Sequence, residues 1–185
     1  AKLDDEADLF IPGDVWYVDR LNELTGNIRE KTTVSFFVPT IIVQKGNPKN
    51  VKGVVDFGRK DLQVALGNPK ACQVGRLCVK ILKNAGLDRD AIPAKSSLTV
   101  NELGVWVKIK DVDAAIVWDA IAENVADSVD MIQIPKETNE ISTVVAGLMK
   151  TSSHPEAAKK FVKFMISSKG REILKSKGYR TDTPY

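Results

Sequence analysis

Residues 62–75 read LQVALGNPKACQVG, and the parsing of this stretch decides the fold. Leu62 to Leu66 is a short apolar run of strand character, Gly67-Asn68-Pro69 makes a turn, and Gly75 opens an apolar helical pattern that reaches Ala85 and stops at Gly86. The loop holds no metal-ligand set, no Ser-His pair and no phosphate-loop lysine at the required spacing. Its backbone is therefore the candidate chemistry. The first N–H groups of a helix have no intrahelical partner and carry the positive end of the dipole, so an oxyanion docks there without any cationic side chain.

Working outward, strand and helix signals alternate with short connections. Ala7 to Ile11 reads as a short buried strand, and Asp14 is an N-cap for a helix carrying Val15, Trp16, Val18, Leu21 and Leu24 that Gly26 ends. Val34 to Val43 is β-branched and aromatic, and Pro39 breaks it into two extended pieces. Thr99 precedes a helix from Val100 to Lys108, and Asp113 to Trp118 is a nearly continuous apolar strand of the kind buried on both faces. Met131 to Ile134 and Ser142 to Leu148 are further strands. Ser153-His154-Pro155-Glu156 spells a capping box for a helix that places Phe161, Val162, Phe164 and Met165 on one side, so His154 reads as a helix-start residue rather than a catalytic base. This alternation predicts an α/β fold with a mainly parallel sheet, where ligands collect at the carboxyl ends of strands. The loop at 67–75 and the helix start at Thr99-Val100 are the two such places.

Composition narrows the function classes. The chain has 185 residues, with 27 basic and 24 acidic side chains interspersed, and no like-charge run of the kind that tracks nucleic acid. The uncharged stretch Ile141 to Met149 is far shorter than the ~20 apolar residues that span a bilayer. The opening AKLDDEADLF is acidic rather than basic and then apolar, which is not a signal peptide. Two cysteines and one histidine do not make the four-ligand set of a zinc site, so no metal and no cofactor is expected. Cys78 reads as a buried thiol and Cys72 as a partly exposed one, with a disulfide between them left open. No nucleophile-base pair is evident, which argues against an enzyme.

Five segments carry a resemblance: ADLFIPGD at 7–14, the run 34–43 followed by KGNP, ALGNPKACQVG at 65–75, DAAIVWDA at 113–120, and HPEAAKKFVKFMISSKGREILKSKGY at 154–179. Together they resemble the molybdate-binding substrate-binding proteins of ABC importers, a branch of the two-lobed type II periplasmic binding-protein superfamily. The resemblance implies one lobe from about residues 1–34 plus 144–185 and another from about 38–140, joined by crossing strands near Phe36–Thr40 and Ile141–Val145. It implies a tetrahedral oxyanion ligand, molybdate or tungstate, an importer membrane component as partner, and a place in the periplasm or on the outer face of the membrane. The alternatives are the effector-sensing domain of a transcription regulator, or a binding protein for sulfate or another anion. The family opens with a βαβ segment before the ADLF strand, about 30 residues or more, which leaves the first lobe incomplete here. Three expectations stay open: a trimmed or processed chain, an amino-terminal part that exists as a separate chain, or a protein that has lost half of the site; self-association or the missing fragment would cover the exposed lobe.

Carried over position by position, the implied ligand donors are the backbone at Val74 before Gly75, the backbone at Val100, and the aromatic at the strand end, here Trp118 where the family commonly has tyrosine. An indole N–H donates as a hydroxyl does but cannot accept. Without the resemblance, Trp118 reads as core and Val74 and Val100 as ordinary helix starts. These positions offer donors and no acceptor, which disfavours phosphate and its retained proton. Asp119 is the one nearby carboxylate, and strand alternation predicts that it points away from the face of Trp118.

Overall fold

A computed structural model describes residues 7–184. In chain order its strands are β1 (Leu9–Phe10), β2 (Ile28–Phe37), β3 (Pro39–Gln44), β4 (Val64–Gly67), β5 (Lys95–Ser97), β6 (Ala114–Trp118), β7 (Val129–Gln133) and β8 (Ser142–Met149). The α-helices are α1 (Val15–Thr25), α2 (Gln73–Asn84), α3 (Val100–Lys108), α4 (Asp119–Glu123), α5 (Pro155–Ile166) and α6 (Ser168–Ser176). The chain divides into two compact units: one runs to Phe37 and resumes over Ser142–Pro184, and the other is Val38–Ile141.

The first unit is built on a three-stranded antiparallel sheet of order β1-β8-β2. Period-2 alternation along β8 gives it two apolar faces. Val145 and Met149 pack with Ile28 and Val18 of α1, while Val144 and Ala146 pack with Val34 and Val162 of α5. Helix α1 starts where Asp14 accepts the Trp16 N–H at 2.8 Å and ends at Gly26, whose φ of 64° suits glycine. β2 begins six residues before the expected Val34. Its first part, IREKTT, is largely exposed and so lacks an apolar signature; pairing with β8 makes it a strand.

Two expectations are corrected at α5. The N-cap is His154 with no side-chain cap bond, not Ser153. Asp8 organises the turn instead, accepting the His154 N–H at 3.0 Å and the Ser152 hydroxyl at 2.6 Å. Phe161 and Phe164 are 51% and 47% exposed, because the buried side of the helix is centred on Ala158 and Val162. α6 follows with Ser167 as a true cap, accepting the Gly170 N–H at 3.2 Å.

The second unit is a five-stranded sheet of order β5-β4-β6-β3-β7. Only β4 with β5 and β4 with β6 are parallel; β3 runs antiparallel to both β6 and β7. The mainly parallel sheet expected from sequence is thus confined to three strands. Parallel pairing needs a crossover, and only β4-α2-β5 and β5-α3-β6 provide one for this part of the sheet. β6 is buried along its whole length, and Ile41, Ile42, Leu66, Ile81, Leu82, Leu103 and Ile116 fill the core around it. β5 itself is absent from the sequence reading, since Lys95-Ser96-Ser97 has no apolar signal.

Candidate functional site

The three parallel strands lie side by side, and their register sets the site. Ala65 pairs with Lys95 on one side and with Ala115 on the other. Three residues further along each strand, Asn68, Leu98 and Trp118 therefore form a row at the carboxyl edge, and beyond them begin α2, α3 and α4. A second contact ties the first two loops together, since the Asn68 N–H donates to the Ser97 carbonyl at 2.7 Å. This places Val74, Gly75 and Val100, the expected backbone donors, at two adjacent helix starts in one unit, with Trp118 on the neighbouring strand end.

The α2 start depends on its two glycines. A Cβ on Gly75 would lie 2.6 Å from the Asn68 carbonyl carbon and oxygen and from the Gly67 carbonyl carbon. One on Gly67 would lie 2.7 Å from Cys72 Sγ and 2.8 Å from Gly75 N. The strand end and the helix start thus touch backbone to backbone. The helix begins at Gln73, two residues before the opening expected at Gly75, so Gly75 is its third residue. Val74, 1% exposed, anchors the turn in the core. The N-cap Cys72 makes no side-chain cap bond, and the first turn has no acidic residue. Gln73, Val74 and Gly75 donate no backbone hydrogen bond among the described residues, and the buried Gln73 Oε1 has no partner. This is an uncapped, electropositive helix start.

The start of α3 is different. The N-cap Thr99 accepts the Glu102 N–H through Oγ1 at 3.4 Å. Ser97, 1% exposed, accepts the Thr99 N–H at 3.1 Å, and its Oγ lies 2.5 Å from Glu102 Oε2. Glu102 thus brings a carboxylate to the first turn, an acceptor that the reading of the four donor positions leaves out. Its sequence signal was present as Thr99-x-x-Glu102, the spacing of a capping box. With this acceptor at the α3 start, the retained proton of phosphate is not disfavoured by the donor positions alone.

Trp118 ends β6 opposite Pro39 and is 8% exposed. Asp119 is not a strand residue but the first residue of α4. Its Oδ1 accepts the Val38 N–H at 3.3 Å and the Ala120 N–H at 3.0 Å, and its own N–H donates to the Val38 carbonyl at 2.9 Å. Oδ1 is thus held by backbone N–H groups where the chain enters this unit. Both thiols are free. Burial pushes the Cys78 thiol up to about 12, an inert core group, while Cys72 Sγ lies 4.0 Å from the Ser97 carbonyl. Among the described residues no three His, Cys, Asp or Glu side chains are grouped to hold a metal ion.

Comparison with known proteins decides the lineage. The family model for bacterial extracellular solute-binding proteins matches residues 1–180. The chain belongs to this family. A binding protein of Haemophilus influenzae is 28% identical over 176 residues, covering 94% of this chain and 71% of its own length. The molybdate-binding protein ModA of Mycobacterium tuberculosis is 24% identical over 173 residues, 94% of this chain and 65% of its own length. Among solved structures, the substrate-binding domain of a molybdenum ABC transporter from Clostridium difficile superposes with a TM-score of 0.78 at 22% identity, covering 95% of this chain and 77% of that one. The fold is that of the α/β type II periplasmic binding proteins. Solute-binding proteins of this family work outside the cytoplasmic membrane, and no helix among the described residues is long and apolar enough to cross one.

Proposed function

We propose that this solute-binding protein takes a tetrahedral oxyanion, molybdate or tungstate, and presents it to the membrane component of an ABC importer; its role is binding rather than catalysis. The observation that carries the reading is the pair of adjacent helix starts on neighbouring parallel strands, where the N–H groups at Gln73 to Gly75 and at Val100 donate no backbone hydrogen bond among the described residues. Such a pair supplies the directional donors that an oxyanion's several oxygens require, and the uncapped α2 start supplies the favourable field. The molybdate-binding relative and the molybdenum-transporter domain favour this ligand over sulfate, which remains the second reading.

The indole of Trp118 is the one side-chain donor of the proposed set. Trp118→Phe keeps an aromatic at the strand end and removes the N–H, so molybdate binding weakens by about 1 to 3 kcal/mol, the worth of one hydrogen bond to a charged group. Val100→Ala, which leaves its backbone donor in place, serves as the control and leaves affinity unchanged. Titration calorimetry reads both. An unaltered dissociation constant in Trp118→Phe returns this tryptophan to the core.

A further inference from the structure

We infer that Glu102 sets the ligand charge that this site tolerates. The inference rests on the oxyanion reading above. Side chains on a helix lean toward its N-terminus, so a glutamate in the third position reaches back over the first turn. Here it stops at Ser97, with Oε2 2.5 Å from the serine Oγ. Ser97 is a buried residue whose carbonyl accepts the Asn68 N–H and lies 4.0 Å from Cys72 Sγ. The tether therefore holds a carboxylate beside both loops that present the proposed N–H donors. Glu102 forms no ion pair among the described residues, and its Oε1 accepts no hydrogen bond there. Among the described residues no Lys, Arg or His nitrogen lies within 4.0 Å of its carboxylate. An arriving anion gains the donors of α2 and α3 and meets this fixed negative charge at the same time.

Coulomb repulsion is proportional to ligand charge, whereas donor geometry and cavity shape are not. Glu102 consequently opposes a tetrahedral dianion about twice as strongly, in free energy, as a tetrahedral monoanion of similar size. Glu102→Gln keeps the length of the side chain and its ability to accept from Ser97, and removes only the charge. For an exposed carboxylate screened by solvent, the expected gain is about tenfold in molybdate affinity and about threefold in perrhenate affinity. Both gains shrink as salt is raised. A capping role alone would move both ligands by the same factor.

The test is calorimetric titration of molybdate and perrhenate into the wild-type chain and Glu102→Gln, with thermal melting to confirm folding. A molybdate gain clearly larger than the perrhenate gain supports the inference; equal gains, or none, overturn it. If the glutamine variant does not fold, Ser97→Ala takes its place, because releasing the tether lets the carboxylate swing into solvent. It should shift the molybdate-to-perrhenate ratio in the same direction but by less, and an unchanged ratio overturns the inference. Wild-type binding without the predicted ratio refutes the role of Glu102 alone. Absence of binding in every variant refutes the oxyanion reading and this inference with it.

Discussion

Gly75→Ala lowers the stability of the second unit by about 3 kcal/mol and weakens oxyanion binding in the molecules that remain folded. The added methyl meets the Asn68 carbonyl carbon and oxygen and the Gly67 carbonyl carbon, all at 2.6 Å. All three are backbone atoms at the end of β4, so no flexible side chain can turn aside to relieve the contact. Either the first turn of α2 lifts from the strand or the Asn68 loop is pushed back. In both cases the N–H groups at Val74 and Gly75 leave their place beside those of α3. Urea unfolding followed by calorimetric titration measures the two effects. A variant as stable as the parent would show that strand end and helix start are not in contact.

Gly170→Ala is expected to cost at least as much stability, at the opposite functional extreme. Its methyl would lie 2.1 Å from the Phe164 oxygen and 2.5 Å from the Met165 oxygen, so the carbonyls that end α5 bar any side chain at this point of α6. The corner is already fixed by Ser167, which accepts the Gly170 N–H and lies 2.6 Å from the Phe164 carbonyl. Relief requires the two helices to part, a loss of about 3 kcal/mol or more from the first unit. The melting temperature of the purified variant reads it. A melting curve superimposable on that of the parent would contradict the packing described for α5 and α6.

These two glycines also show what a sequence discloses. Both stand in stretches that the sequence marks plainly, ALGNPKACQVG and SSKGREIL, because close backbone approach tolerates only one residue type. The strongly apolar β6 and the capped helices α1 and α3 were equally legible. The exposed half of β2 and the polar β5 were not, since pairing with neighbours rather than their own residues makes them strands. The two helix starts that carry the proposed donors were legible to within two residues, at Val74-Gly75 and at Val100. Asp119 was misplaced because strand alternation was extended one residue too far, to a position that opens a helix and is claimed by Val38. Glu102 was missed although its capping-box spacing is visible. A cap and an anion compete for the same N–H groups, and reading Val100 as a donor or as an ordinary helix start left the Glu102 carboxylate out of both.

Backbone N–H groups at the starts of α2 and α3 are proposed to hold a tetrahedral oxyanion. Isothermal titration of molybdate into the purified protein at neutral pH tests it most directly, with tungstate and sulfate as competitors. Saturable binding is expected at one site per chain, with a dissociation constant of roughly micromolar or lower, about −8 kcal/mol, and displacement by tungstate. Titrations of all three anions without saturable heat, while the protein melts cooperatively, would contradict it.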